Sequence, residues 1–153
     1  EALRWLYESL AIKRRLRDQQ GIANAHVNIA GRLLQTGRPL EAWPLLVESL
    51  FLFRQMGQVA SLAQALASCA QTLLALHLPA QALQVAASVQ RWDQEASTKL
   101  PPQTRRNLEA YIQQAREALG ADAEPIYQLA QASSLEQACQ VVLDFTTVPD
   151  AEP

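Results

Sequence analysis

The stretch EAWPLLVESLFLFRQMGQVASLAQALASCAQTLLALHLPAQA, residues 41–82, decides the fold because its first half matches the start of the chain. At a shift of about 40 residues, Glu1-Ala2 falls on Glu41-Ala42 and Glu8-Ser9-Leu10 falls on Glu48-Ser49-Leu50. The match continues through Ala30 with Ala70, Leu33 with Leu73, Leu34 with Leu74, Pro39 with Pro79 and Ala42 with Ala82. A fixed self-similarity of this length predicts a stack of helix pairs.

Composition agrees with a helical fold. The 153 residues are 49% hydrophobic and 18% charged, with only 5 glycines, and the abundant Ala, Leu, Gln, Glu and Arg favour helices. A net charge of -2 gives no basic surface for nucleic acid or an anionic membrane, and no apolar run approaches the roughly 20 residues that span a bilayer. We therefore expect a cytoplasmic all-α protein with no membrane contact.

Apolar periodicity, glycines and prolines place the helices. They predict a right-handed superhelical stack of antiparallel pairs with seven to eight helices. Gly21 is expected to end the first helix, and Ser133 to cap the last one in a capping box with Glu136. The predicted helices cover 2–17, 22–36, 39–56, 59–76, 79–96, 101–119 and 125–132, with the last one after Ser133. The predicted units are repeats over 1–97, the first of them truncated, capping helices over 98–145 and a frayed tail over 146–153.

The repeat unit resembles the tetratricopeptide repeat in a form of about 40 residues. Small side chains at the helix crossings carry this resemblance, because they let neighbouring helices approach closely. The matching positions are Ile29-Ala30, Leu33, Gly37, Ala42, Leu46 and Ser49, and then Cys69-Ala70, Leu73, His77, Ala82, Ala86 and Val89. Most aromatic positions of the family are aliphatic in this chain, and His77 stands where the family has a turn glycine.

The C-terminal third contains four distinctive segments, which are Arg91-Trp92, Leu100-Pro101-Pro102, 116–120 and 134–138. With these segments it resembles the closing region of large bacterial transcriptional regulators of the LuxR-type, maltose-activator-like and SARP-like groups, which also contain an ATPase domain. The resemblance implies a non-catalytic module that senses an inducer, binds a protein segment or holds the neighbouring domains of its parent chain. The chain has no phosphate-binding loop and no helix-turn-helix signature, so neither ATP hydrolysis nor DNA binding is transferred to it.

A concave groove is the usual binding surface of a helical-repeat array. The groove positions expected from the repeat register are Asn24, Val27, Gly31, Leu34 and Gln35, followed by Gln64, Ala67, Gln71 and Leu74. These side chains lack the lysines and arginines that would clamp an acidic peptide terminus. Neutral amides could bind an extended peptide backbone or a sugar, and they could equally be solvated groove residues of a purely structural spacer.

The basic cluster Lys13-Arg14-Arg15-Arg17 offers a weaker alternative, a contact with nucleic acid. A solvated helix C-terminus explains the same residues, because cations there complement the helix dipole. The negative net charge favours the second interpretation, so nucleic acid is not an expected partner.

No catalytic or metal-binding pattern stands out. Neither His26 nor His77 has a Cys, Asp or Glu at metal-ligand spacing, and Cys69 occupies a helix-packing position. We expect no enzyme, no metal and no cofactor.

The start of the chain aligns with the second helix of a repeat, so the sequence predicts a truncated first repeat in a piece of a larger protein. The helix that would cover Leu3, Leu6 and Leu10 is then missing. Exposed apolar surface of this kind is often buried by association. The sequence therefore predicts a homo-oligomer formed through residues 2–16.

Overall fold

The computed structural model describes residues 1–145, which are helical with short connections, and the all-α prediction is confirmed. The eight α-helices and one 3-10 turn are α1 (Ala2–Arg15), α2 (Gln19–Gln35), α3 (Pro39–Gln55), α4 (Val59–Ala75), α5 (Pro79–Glu95), α6 (Pro102–Leu119), the 3-10 turn (Gly120–Asp122), α7 (Ala123–Gln131) and α8 (Leu135–Asp144). The right-handed superhelix stays a prediction. The tail predicted over 146–153 lies outside the described residues.

One turn joins each pair of neighbours from α1 to α5. Its central residue has positive φ, and this residue recurs every 20 positions as Arg17 (54°), Gly37 (73°), Gly57 (68°) and His77 (61°). The next amide donates to a carbonyl five residues earlier, as from Arg38 to Leu33 at 2.8 Å. This is the Schellman arrangement, which satisfies the last carbonyls of a helix. The turn role expected for His77 is confirmed. The turn recurs every 20 residues, which is half of the 40-residue period of the sequence.

Gly21 does not end the first helix, so that prediction was wrong. Asp18 caps α2 by accepting from the Gly21 amide at 2.9 Å, so α2 begins before the glycine. A Cβ at Gly21 would lie only 2.1 Å from a carboxylate oxygen of Asp18. The glycine is therefore needed for the cap, while Arg17 supplies the left-handed residue that ends α1.

The capping box of α8 is displaced by one residue from its predicted position. Ser134 accepts from the Gln137 amide at 3.1 Å, and the Gln137 side chain accepts from the Ser134 amide at 2.7 Å. The Ser133 hydroxyl instead donates to the carbonyl of Leu129 at 2.9 Å, which closes the end of α7. Both serines are followed by an acceptor three residues later, Glu136 for Ser133 and Gln137 for Ser134, and the Ser133 hydroxyl is already engaged by α7.

Consecutive helices from α1 to α6 pack against one another. Four alanines at the predicted crossings are buried, and their small side chains allow the close approach that the repeat requires. They are Ala30, Ala42, Ala70 and Ala82. Helix α3 packs against α2, α4 and α8, as its apolar sequence predicts.

The last two helices fold back over the earlier ones instead of extending the stack. Helix α7 packs on α5, and α8 packs on α3, α4 and α5. At one end of α8, Arg54 Nε lies 3.1 Å from Glu136 Oε1. At the other end, the rings of Trp43 and Phe145 meet edge to face with centroids 6.5 Å apart. Helix α8 therefore runs antiparallel to α3.

The buried carboxylate of Asp93 holds the linker between α5 and α6, residues 96–101, where the repeat period breaks. Asp93 at the end of α5 accepts from the Leu100 amide at 2.7 Å through Oδ1. Its Oδ2 lies 2.9 Å from Arg105 Nε in the first turn of α6. The Lys99 amine donates to the backbone carbonyl of Gln94 at 2.8 Å. These contacts join the linker to both flanking helices.

Candidate functional site

A cleft of about 290 Å³ opens between α2 and α4, which are equivalent helices of successive repeats. Helix α2 contributes one wall and α4 the other, while Phe53 of α3 lies between them. The lining residues are Asn24, Val27 and Asn28, then Ser61, Gln64 and Ala65, and finally Phe53. The cleft therefore has a polar rim of amides and a hydroxyl above an apolar floor.

The polar rim is uncharged. Its side chains are those of Asn24, Asn28, Ser61 and Gln64. Within residues 1–145, none of these four side chains makes a hydrogen bond to another protein group. Each amide offers both donors and acceptors. The rim can therefore pair with a ligand without first breaking a contact inside the protein.

The structure brings together only part of the predicted groove. Asn24, Val27 and Gln64 line the cleft, whereas Gly31 and Gln71 lie half-buried beyond its lining. Ala67 is buried within the core and does not line this cleft.

Gln35 also lies outside the cleft. It is exposed near the end of α2, where its side chain accepts from Arg32 Nη1 at 3.1 Å. Leu34 and Leu74, which were also expected in the groove, pack against the core.

Sequence reasoning missed Asn28, Ser61, Ala65 and Phe53. Asn28 follows Asn24 by one helical turn, and Ser61 precedes Gln64 by about one turn. Polar residues at this spacing share a helix face, so the sequence alone contained a signal for Asn28 and Ser61. Phe53 carries no such signal, because it belongs to the apolar run of α3.

A fully buried histidine, His26, lies on α2 beside the lining residue Val27 and faces Glu48 of α3. His26 Nδ1 is 3.5 Å from Glu48 Oε2, but the contact lacks hydrogen-bond geometry, and both ring nitrogens lack a partner within residues 1–145. Burial lowers the pKa of His26 below the ordinary 6.5, Glu48 of α3 opposes this shift, and Arg14 of α1 adds to it. The folded protein therefore favours the neutral ring.

We expect the chain to lose stability as the pH falls below about 6.5. The unfolded state takes up a proton on His26 at a higher pH than the folded state does, so acidification favours unfolding until the folded-state pKa is passed. Urea denaturation at about pH 7.5 and about pH 5.5 measures the difference.

The chain offers a matched control for this prediction. His26→Leu should flatten the dependence across this window, and His77→Gln, which replaces the exposed histidine in the turn after α4, is the control. Equal pH dependence in the wild type and in His26→Leu would contradict the assignment.

Two further clefts hold side chains that are already paired. A cleft of about 300 Å³ lies beside Arg91, whose guanidinium contacts Glu95 at 3.1 Å and also the carbonyl of Gln131. Another of about 390 Å³ lies beside Arg54, which contacts both Glu136 and Gln140 at 3.1 Å. These arginines hold α7 and α8 in place, so we assign both clefts a structural role.

The basic cluster lies at the C-terminal end of α1. Lys13 is half-buried, and Arg14, Arg15 and Arg17 are exposed. Cations at this end complement the helix dipole, which accounts for the cluster without a nucleic-acid partner.

The face of α1 proposed for self-association is not bare. Leu10 is only 2% exposed, and Leu3 and Leu6 are half-buried against the core. The prediction that this face is exposed was wrong for Leu10, because α2 covers it. The large exposed apolar side chains of α1 are instead Trp5, Tyr7 and Ile12, with Leu16 at its end.

Both cysteines are buried and free. Burial raises the pKa of Cys69, and the neighbouring Cys139 raises it further. Burial likewise raises the pKa of Cys139. Both groups are therefore neutral thiols near pH 7, which suits packing better than nucleophilic attack.

Residues 1–145 contain neither a candidate membrane-spanning helix nor a candidate metal-binding cluster. No helix in this range is both long enough and apolar enough to cross a membrane. No three His, Cys, Asp or Glu side chains in this range come together as a metal site would require.

Comparison with protein-family models, with curated proteins and with solved structures yields no match. The resemblance to tetratricopeptide repeats and to bacterial regulators therefore stays a prediction from the sequence.

Proposed function

We propose that this chain is a non-catalytic interaction module that binds an extended, uncharged peptide segment in the cleft between α2 and α4. One observation carries the proposal: four neutral polar side chains with no partner among the described residues converge on one cleft with an apolar floor. The lining contains no titratable side chain, so it offers no general acid, general base or activated nucleophile.

The chemistry of the rim favours a peptide backbone as the ligand. Asn24 and Asn28 on α2 stand across the cleft from Gln64 on α4, and their amides can pair with peptide N–H and C=O groups. Val27, which is half-buried at the lining, offers apolar contact to a side chain of the bound segment. The absence of charge from the lining disfavours acidic and basic peptides, because their charges would lose water without gaining a partner.

A small neutral inducer such as a sugar is the second candidate. The same amides pair with hydroxyl groups, and a volume of about 290 Å³ lies near the lower end of the roughly 300–1,000 Å³ typical of ligand pockets. Inducer sensing fits the proposed setting, a repeat region of a larger cytoplasmic bacterial regulator. A purely structural spacer is the remaining alternative and predicts no ligand.

Gln64→Glu is expected to weaken binding of a neutral peptide about tenfold or more, because a carboxylate replaces both amide donors and must be desolvated. Binding is measured by titrating short neutral peptides and, separately, simple saccharides, and by following the side-chain amide signals of Asn24, Asn28 and Gln64 by NMR. The class of probe that moves these signals identifies the class of ligand.

Gln71→Glu is the matched control, since Gln71 lies on the same helix outside the cleft lining. It should bind as the wild type does. An equal loss of peptide affinity in Gln64→Glu and Gln71→Glu would show a general effect of negative charge on α4 and would contradict a specific role for Gln64. Failure of both probe classes to move any of the three amide signals would favour the spacer.

A further inference from the structure

The two cysteines of the chain lie on helices that pack against each other. Cys69 belongs to α4 and Cys139 to α8, and both side chains are fully buried. They are far apart in the sequence, so their helices meet only because α8 folds back over the stack. The chain contains no other cysteine. Neither thiol therefore has a competing partner within the chain.

The register of α8 on α4 sets the two thiols level with each other. Leu73 of α4 and Val142 of α8 line one cavity of only about 10 Å³, so these two residues are neighbours. Both α4 and α8 run antiparallel to α3, so they run in the same direction. One helical turn back from this neighbouring pair lie Cys69 on α4 and Cys139 on α8, and positions one turn apart share a helix face. The electrostatic effect of Cys139 on the pKa of Cys69 agrees with this placement.

We propose that Cys69 and Cys139 form a reversible disulfide that ties α8 to α4 under oxidising conditions. Packed helix axes lie about 8–10 Å apart and each Cα lies about 2.3 Å from its axis, so facing Cα atoms approach to roughly 4–6 Å. A disulfide spans roughly 4.4–6.8 Å between its Cα atoms. The adjacent residues Ala70 and Ala138 are small and buried, which favours this close approach of the two helices.

The oxidant is a low-molecular-weight disulfide such as oxidised glutathione. Buried neutral thiols react slowly, so the first step takes place when α8 lifts transiently from the stack. The Cys139 thiolate attacks the oxidant, forms a mixed disulfide and expels one small thiolate. The Cys69 thiolate then attacks the Cys139 sulfur and expels the second small thiolate. The two protein thiols thereby lose two electrons to the oxidant, and their two protons end on the two released thiols.

Redox titration of the whole chain with reduced and oxidised glutathione tests the proposal. The titration starts once from the reduced chain and once from a chain that was oxidised in denaturing urea and then refolded, so slow access to the thiols cannot hide the equilibrium. Peptide mapping by mass spectrometry should find the Cys69–Cys139 link from both starting states. The effective concentration of the thiol pair should be at least about tenfold higher in buffer than in urea, because the fold holds the two thiols together.

Hydrogen exchange tests the tie itself. The amides of α8 should exchange at least about tenfold more slowly in the oxidised chain, because the disulfide opposes the opening of the helix. Reduction should restore the faster rate. Cys139→Ala keeps a small apolar side chain in the core, and the same oxidant should leave its α8 exchange unchanged.

Three results would overturn the proposal. The first is an effective concentration in buffer no higher than in urea. The second is glutathione bound to both cysteines at equilibrium in place of the link. The third is equal exchange of the α8 amides in the oxidised and the reduced wild type. All three are measured on the wild-type chain, so they do not depend on the folding of any variant.

Discussion

Phe53→Ala is expected to lower the free energy of unfolding by about 3–5 kcal/mol, the usual loss for emptying a buried phenylalanine site. Phe53 is only 2% exposed, near the C-terminal end of α3 among core residues of its neighbours. The surrounding helices are held by close contacts between alanines and cannot collapse fully into the space. Urea denaturation followed by circular dichroism measures the loss.

Phe51→Ala is the matched control for this loss. The two phenylalanines lie two residues apart on α3, but Phe51 is 51% exposed. Its truncation should lower the free energy of unfolding by less than about 1 kcal/mol, since little apolar area leaves the core. Similar losses in the two variants would contradict the burial of α3 described above. Phe53→Ala should also deepen the cleft between α2 and α4, since Phe53 belongs to its lining.

Asp93→Ala is expected to lower the free energy of unfolding by about 2–3 kcal/mol. The Leu100 amide would lose its partner, and Arg105 would lose the carboxylate that holds the start of α6 against α5. The loss falls below that of a fully buried ion pair, because the Arg105 side chain is about half exposed and can be solvated. The same denaturation measurement applies.

Two variants separate the causes of this loss. Asp93→Asn keeps an acceptor for the Leu100 amide and removes only the charge, so its loss should be the smaller. Glu95→Ala, two residues further along the same helix, removes an exposed carboxylate that pairs with Arg91 and should change stability by less than about 1 kcal/mol. A loss in Asp93→Ala no greater than that in Glu95→Ala would show that the linker does not depend on Asp93.

Helix positions were largely predictable because they depend on local chemistry. The left-handed turn that recurs from Arg17 to His77 and the prolines that open α3 and α5 act within a few residues of the chain. Errors arose where two local signals competed. Asp18 and Gly21 form a cap where a stop was predicted, and Ser134 takes the capping position that Ser133 could also have taken.

The candidate site was only partly predictable. Asn24, Val27 and Gln64 follow from the repeat register, but the register could not separate Gln64, which lines the cleft, from the buried Ala67 one turn later. The inclusion of Phe53 depends on how α3 sits behind the gap between α2 and α4. That arrangement results from side-chain packing among three helices, and no single helix encodes it.

The sequence by itself determined that this protein is all-helical, that it repeats at about 40 residues and where most of its helices begin and end. These features depend on backbone propensity, turn chemistry and apolar periodicity, each of which acts over one or two helical turns. Only the tertiary structure decided that α8 folds back along α3, that Leu10 faces α2 while Trp5 and Ile12 stay exposed, and that four neutral polar side chains meet at one cleft. Those outcomes depend on which surfaces of distant segments fit together, because packing energy is set by the shapes of both partners.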